Sequence, residues 1–221
     1  MTRWASAAAD APLPHDFMTS ELPPLIRQML RADFYPHPVV SPVALIQTHI
    51  SYVFLTGEFA YKLKKPVSLG FLDFSTLEKR REFCHEELRL NKRLSPELYL
   101  EVLPIFFSET VNGIREYRLG SSSESQDAGA VEYVLVMREF SQDALFSRMF
   151  ERNELKAEHF RGLAAMLAKF HESAESNEQI ADNGSAQAIA ATAGENYQVT
   201  KQYVGRVQTE TRFSETKNFT D

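Results

Sequence analysis

The sequence predicts an α+β fold, in which an antiparallel sheet with one helix is followed by a helical region. Short segments rich in β-branched and aromatic residues recur between residues 43 and 140. One long amphipathic helix pattern interrupts them at residues 75–94. Beyond about residue 145 the strand patterns stop and helical patterns begin. Strands grouped first and helices grouped afterwards are typical of an α+β protein.

The first 64 residues predict one helix and three strands. Apolar residues recur on one helical stripe from Leu25 onward, and Pro36 and Pro38 end that helix. The segments VALIQTH, YVFLTG and FAYKLKK are typical of short strands. Gly57-Glu58 predicts a tight turn between the last two. We expect antiparallel pairing, because links this short cannot make the crossover of a parallel pair.

The helix at residues 75–94 has a candidate cap at either Ser75 or Asp73. Glu78 follows Ser75 by three residues, the spacing of a capping box. We expect the helix to stop at Ser95-Pro96.

The remaining segments complete the sheet and begin the helical region. VLPIFFSETV and IREYRLG flank Asn112-Gly113, which predicts a hairpin, and residues 121–130 read as a loop. VEYVLVMREF is apolar enough to be a central strand. An amphipathic helix is predicted at 155–173, and the last 44 residues predict loops and short helices. We divide the chain into a disordered leader at 1–22, a sheet-containing part at 23–140 and a helical part at 141–221.

Composition limits the possible functions. The chain has 30 acidic and 24 basic residues among 221, and a net charge of −6 argues against general nucleic-acid binding. A nucleic-acid-binding domain built on the local lysines therefore remains the least favoured hypothesis. The one cysteine permits no internal disulfide and agrees with a cytoplasmic location. No apolar run reaches about 18 residues, so the sequence predicts no membrane-spanning helix.

Lys62 and Lys64 raise the main functional question. Side chains alternate along a strand, so Tyr61 and Leu63 should face one side and the two lysines the other. This pattern fits a solvated sheet face, but it also fits a surface that binds phosphate. In the next helix, Glu87 shares a face with Phe83, Leu90 and Leu94. A carboxylate on an apolar stripe needs a cationic partner, and the lysines of the preceding strand are candidates.

A strand lysine paired with a helix glutamate is also how kinase-type folds hold the lysine against ATP phosphates. The sequence resembles the aminoglycoside phosphotransferase family of the protein-kinase-like fold over residues 25–221. The block at 48–105 resembles a bacterial branch whose members are often described as bifunctional, with a phosphotransferase-like half before a P-loop ATP-binding half. The resemblance implies a kinase-like small lobe at 23–140, the start of a helical large lobe at 141–221, and ATP and Mg²⁺ as cofactors.

The resemblance also assigns roles to individual residues. YKLK matches Val-Ala-Ile-Lys of protein kinases, so Lys64 takes the place of the ATP lysine and Lys62 that of the alanine lining the adenine pocket. Glu87 matches the helix glutamate, with Glu86 as the alternative.

VLVMREF matches the last small-lobe strand and the hinge. Met137 would then lie at the back of the pocket, and backbone groups near Arg138, Glu139 and Phe140 would read the adenine edge. Met137 fits an ordinary core position equally well. The turn THIS replaces the Gly-rich loop of protein kinases, so the hydroxyls of Thr48 and Ser51, or backbone N–H groups, are candidate phosphate ligands.

The catalytic part of the family pattern is missing from the sequence. Kinase-like phosphotransferases need a catalytic-loop Asp and a second Asp or Asn for Mg²⁺. The only His-Asp pair is His15-Asp16, in the leader, and there is no P-loop motif. We therefore expect the N-terminal part of an ATP-dependent phosphotransferase acting on the hydroxyl of an unidentified small molecule, inactive on its own. The alternative is a degenerate kinase-like module that binds a nucleotide or a partner without catalysis.

Overall fold

The computed structural model describes residues 22–39, 42–69, 72–109, 115–121 and 129–220. The predictions for Asn112-Gly113 and for nearly all of the leader and of the 121–130 loop lie outside these residues. Contacts divide the chain into two units, residues 1–166 and 167–221, with the division inside a helix. The predicted boundary at 140–141 stays a prediction.

The first unit is an antiparallel sheet with helices before, within and after it in sequence. Its elements are α1 (Pro24–Met29), β1 (Ala44–Gln47), β2 (Ser51–Leu55), β3 (Phe59–Lys64), α2 (Leu77–Asn91), β4 (Tyr99–Glu109), β5 (Arg115–Leu119), β6 (Ala130–Arg138) and α3 (Phe146–Glu151), and α4 (Ala157–Glu172) crosses into the second unit. The strand order is β1-β2-β3-β6-β4-β5, and every neighbouring pair is antiparallel. The structure confirms the predicted antiparallel sheet and the central position of β6.

Strand alternation separates two hydrophobic clusters. The larger cluster includes α1 residues and every second residue of the central strands. Its buried members are Ile26, Met29, Phe34, Tyr35, Phe54, Tyr61, Leu63, Leu103, Ile105, Val134 and Val136. The smaller cluster lies under α2 and consists of Cys84, Val102, Tyr133 and Leu135. The alternate residues of β3 and β6 therefore face different clusters, as the period of a strand requires.

Side-chain hydrogen bonds from α1 protect one edge of the sheet. Gln28 accepts a hydrogen bond from the backbone N–H of Tyr117 at 2.8 Å and donates one to its carbonyl at 2.7 Å. The amide thereby satisfies the outward-facing groups of edge strand β5 at this residue. Blocking an edge strand in this way disfavours pairing with another chain.

The second helix differs from its prediction at its start and in its buried face. Its N-cap is Thr76, whose side chain accepts from the N–H of Lys79, and the helix ends at Asn91. Asp73 instead accepts from the N–H of Ser75, so the predicted cap and capping box at Ser75 were wrong.

The predicted buried stripe of α2 was also wrong. Phe83, Leu90 and Leu94 are exposed, whereas Arg80 and Cys84 are buried. The helix is rotated because Arg80 finds a buried partner in Glu132 on β6. Its Nε atom lies 2.9 Å from both carboxylate oxygens, and its guanidinium also donates to the carbonyl of Phe74 at 3.0 Å. An arginine can thus occupy a position that hydrophobic patterning assigns to apolar residues.

The second unit is helical. Its described elements after α4 are α5 (Glu178–Asn183), α6 (Ala186–Thr200) and α7 (Glu210–Thr220). The 15-residue α6 is longer than the short helices predicted there, and the side chain of Ser185 caps its start by accepting from the N–H of Ala188. In the part of the chain that the structure describes, no helix is long and apolar enough to cross a membrane.

Replacing Arg80 with Met should unfold the first unit more readily. The change leaves the Glu132 carboxylate, which is 10% exposed, without its cation. We expect a loss of about 3–5 kcal/mol in the free energy of unfolding, measured by urea denaturation. Arg31→Met is the control, because its exposed ion pair with Asp33 should contribute little. Equal effects of the two variants would contradict the role assigned to the buried pair.

Candidate functional site

Two lysines of β3 share one carboxylate of α2. The Lys62 ammonium lies 2.6 Å from Glu87 Oε1, and the Lys64 ammonium lies 2.6 Å from Glu87 Oε2. The predicted contact between Lys64 and Glu87 is confirmed. Glu86, the alternative partner, instead bonds to Arg89 on its own helix. We call Lys62, Lys64 and Glu87 the charge triad.

Strand register explains why the two lysines meet the same helix. They are two residues apart on β3, so both project to the α2 side of the sheet. Lys62 lies between Val53 of β2 and Leu135 of β6, and Lys64 lies opposite Ser51 of β2. The triad is therefore supported by the middle of the sheet rather than by an edge.

The triad carries a net charge of +1 in a largely buried position. The exposed fractions of the side chains are 28% for Lys62, 6% for Lys64 and 17% for Glu87. Burial alone would raise the pKa of Glu87, but the charge of Lys62 and hydrogen bonds from both lysines outweigh it and lower that pKa. Glu87 is thus ionised at neutral pH, and one positive charge on this face is left uncompensated by the triad itself.

Three further side chains surround the triad. The Lys64 ammonium lies 4.7 Å from the centre of the Phe74 ring, in cation–π contact. Cys84 is fully buried one helical turn before Glu87, and burial raises the pKa of its thiol to about 12, so it stays protonated. Burial, and after it the negative charge of Glu87, raises the pKa of Tyr99. Sequence patterning missed Phe74 and Tyr99, since neither shares a period with the triad.

The turn before β2 holds the two hydroxyl candidates differently. Thr48 Oγ1 accepts from the N–H of Ser51 at 3.0 Å and from that of Ile50 at 3.3 Å, so it closes the turn. Ser51 lies opposite Lys64 and is 1% exposed. Its hydroxyl oxygen has no hydrogen-bond partner among the residues that the structure describes. Ser51 thus lies beside the triad, whereas the Thr48 hydroxyl is already engaged.

At the end of β6, Met137 lies on the face of the sheet that carries the lysines, whereas Glu139 bonds to the β2–β3 turn. Met137 is half-buried and packs against the cluster under α2, on the same face as the lysines. The Arg138 N–H donates to Leu98, and the Glu139 N–H donates to Glu58. The Glu139 carboxylate accepts from the N–H of Gly57, which adopts a positive φ of 96° in the predicted turn.

Taken together, the structure brings Lys62, Lys64, Glu87, Ser51 and Met137 to one face of the sheet. Glu139 instead bonds to the β2–β3 turn, and Phe140 follows it on an exposed connection. Two of the backbone N–H groups expected to read a base already have protein acceptors.

The chemistry of this face suits an anion rather than a metal. Two ammonium groups and a buried hydroxyl can donate hydrogen bonds to oxygen atoms of a phosphate. Across the described ranges, no three His, Cys, Asp or Glu side chains are grouped so that they could hold a metal ion.

Comparisons with known proteins place the chain near a set of mycobacterial proteins. It is 28% identical over 173 residues to uncharacterized proteins of Mycobacterium bovis and of two Mycobacterium tuberculosis strains. The alignment covers 77% of this chain and 31% of each relative, so the chain matches about a third of their length. No family model matches the chain, and no solved structure matches it.

Replacing Glu87 with Gln should destabilise the first unit. Two ammonium groups, one of them almost fully buried, would then face each other without a carboxylate between them. We expect a loss of roughly 2–4 kcal/mol in the free energy of unfolding, somewhat below the value for a fully buried pair. Glu86→Gln on the same helix turn is the matched control, because its partner Arg89 is exposed. The measurement is urea denaturation of both variants. An equal loss in the free energy of unfolding would contradict the stabilising role of the triad.

Glu87 should also contribute a pH-dependent part of the stability. Its pKa in the folded chain is lowered from the ordinary 4.5, so the folded state favours the ionised form. That contribution is complete above pH 4.5 and is lost as the pH falls through the lowered pKa. The stability difference between the natural chain and Glu87→Gln should therefore shrink as the pH falls from about 6 to about 3. A difference that is constant over this range would contradict the lowered pKa.

Proposed function

We propose that this chain contributes the ATP-binding small lobe of a phosphotransferase of the protein-kinase-like fold. In this proposal the γ-phosphoryl group of ATP passes to a hydroxyl of a small-molecule acceptor and ADP is released. The observation that carries the proposal is the charge triad, in which a helix glutamate holds a lysine of the preceding strand. Kinase-type folds use this ion pair to hold the lysine that binds ATP phosphates.

The surrounding fold supports the same proposal. The helix with the glutamate stands between β3 and β4 in sequence and packs on β6 and β4, and the strand with the lysine is central in the sheet. Met137 lies on the triad face near the end of β6, where the resemblance places the back of an adenine pocket. Because the lysine pair exceeds the carboxylate by one charge, the face attracts a polyanion. This attraction would neutralise part of the phosphate charge and align the chain of phosphates.

The sequence supplies only part of such a reaction. When bound, Mg²⁺ would screen charge on the phosphates, but the described residues do not fit a metal site and we assign it no ligands. We also assign no base to take the proton of the acceptor hydroxyl, since no His-Gly-Asp type motif stands after α4. The resemblance adds two elements to the proposal. One is a longer parent chain that contains a P-loop half, and the other is a cytoplasmic location.

A binding module without catalysis is the second candidate. It is favoured by the way in which Glu87 occupies both lysines, since each of its oxygens has one ammonium at 2.6 Å. Such a triad is internally satisfied and can persist as a structural or ligand-holding element without any chemistry. The second candidate binds a nucleotide or a partner, and only the phosphotransferase turns ATP over.

The 221-residue chain should bind ATP weakly and in preference to adenosine. Electrostatic attraction to the triad gives each added phosphate a favourable contribution, so affinity should rise from adenosine through ADP to ATP. Isothermal titration at low and high salt measures this, and salt should weaken ATP binding much more than adenosine binding. No detectable ATP binding at millimolar concentrations, or no dependence on phosphate number, would overturn the phosphotransferase proposal and leave the second candidate only as a module that binds a partner.

Phosphoryl transfer by residues 1–221 should be far slower than the roughly 1–100 s⁻¹ of typical kinases. The expected reason is that the described residues include no group suited to hold the metal and none to which we assign the orientation of the acceptor hydroxyl. The assay follows ADP release and labelled phosphate with ATP, Mg²⁺ and a panel of small alcohols. Turnover in the ordinary kinase range would show that the catalytic groups lie among residues to which we give no role.

A further inference from the structure

The two lysines of the triad differ in burial and in contacts. The Lys64 side chain is 6% exposed, and its ammonium lies between Glu87 Oε2 and the face of the Phe74 ring. The Lys62 side chain is 28% exposed, and its ammonium bonds to Glu87 Oε1. A ligand arriving from solvent therefore meets Lys62 first.

The consequences of moving either lysine also differ. If Lys64 turned to a ligand, its ammonium would leave both its carboxylate oxygen and its aromatic contact with Phe74. If Lys62 turned, its ammonium would leave a carboxylate oxygen, and the more deeply buried Lys64 would keep both of its contacts. One ammonium stays on Glu87 in either case, so the lost cation–π contact and the deeper burial make Lys64 the costlier lysine to move.

We propose that Lys62 is the cation that binds the polyphosphate of the ligand, and that Lys64 is a positioning residue that keeps Glu87 neutralised meanwhile. This inference rests on the proposed function, but it departs from the resemblance, which gives the phosphate role to Lys64. The ligand class is a nucleoside polyphosphate. Its charged end lies against the centre of the sheet, where Lys62 stands between Val53 and Leu135.

Two matched double variants separate the lysines. Lys64→Met with Glu87→Gln leaves only Lys62, and Lys62→Met with Glu87→Gln leaves only Lys64. Both variants have the same net charge and the same neutral glutamine, so the lysine that remains in each variant has lost its ion pair with the carboxylate. The ratio of ATP affinity to adenosine affinity, from isothermal titration, isolates the phosphate contribution in each. Lys79→Met controls for the loss of a lysine outside the triad, since Lys79 pairs with Asp73.

The chain that keeps Lys62 should retain the ATP-to-adenosine ratio within about threefold of the natural chain. The chain that keeps Lys64 should lose about tenfold or more, the value of one charge-assisted hydrogen bond to phosphate. The reverse order, or equal losses, would overturn the inference. Absence of ATP binding by the natural chain would instead overturn the proposed function, and this inference with it.

A measurement on the natural chain removes any dependence on how the variants fold. Acylation of lysines, followed by mass spectrometry, should modify Lys62 faster than Lys64, in accordance with their exposure. Saturating ATP should slow the modification of Lys62 by about fivefold or more, and adenosine should not. Where ATP binds, protection of Lys64 alone, or of neither lysine, would overturn the inference.

Discussion

The ion contact that joins β3 to α2 through Glu87 is the constraint on which the first unit depends. A carboxylate with both oxygens engaged at 2.6 Å fixes the helix against the centre of the sheet and fixes two strand side chains at once. Without Glu87, the alternation of β3 would direct two ammonium groups at the same helix face, and their positive charges would repel each other. Among the described residues, the hydrophobic cluster under α2 has four buried members, with five partly buried side chains packed against them, so it is smaller than the cluster on the other face of the sheet.

A second buried ion pair acts on the same helix. Arg80 and Glu87 are seven residues apart, which is two helical turns or about 10 Å. Arg80 joins the start of α2 to β6, and Glu87 joins its later part to β3. Two polar attachments at separate points define both the position and the rotation of the helix, whereas a purely apolar face would allow sliding. The helix can therefore present the triad reproducibly, as a binding site requires.

The sequence predicts the charge triad from the two-residue period of a strand and from the position of Glu87 on one face of a helix. The alternation of strand residues places Lys62 and Lys64 together, and the helix that follows this strand brings Glu87 to both of them. The rotation of α2 could not be predicted in this way. Phe83, Leu90 and Leu94 share a helical stripe with Glu87, but the buried position of Arg80 depends on Glu132, which is 52 residues further along the chain. The N-cap was missed for a similar reason, since Asp73, Ser75 and Thr76 are all good capping residues and only the three-dimensional turn selects Thr76.

The residues of the candidate site were likewise only partly predictable from the sequence. Ser51 was chosen because it stands in a turn, and strand pairing then places it opposite Lys64. Phe74 and Tyr99 reach the triad through the folding of separate segments, for which no local pattern exists. The difference between Lys62 and Lys64 is likewise absent from the sequence, because it arises from how Phe74 and α2 cover one lysine more than the other.

The most direct test of the account is a crystal structure of this chain with a non-hydrolysable ATP analogue. The account predicts a phosphate oxygen within about 3 Å of a triad ammonium, with the Glu87 carboxylate still bound to the other lysine. Density for the analogue away from the α2 face of β3, or both lysines still on Glu87 with no phosphate contact, would contradict it.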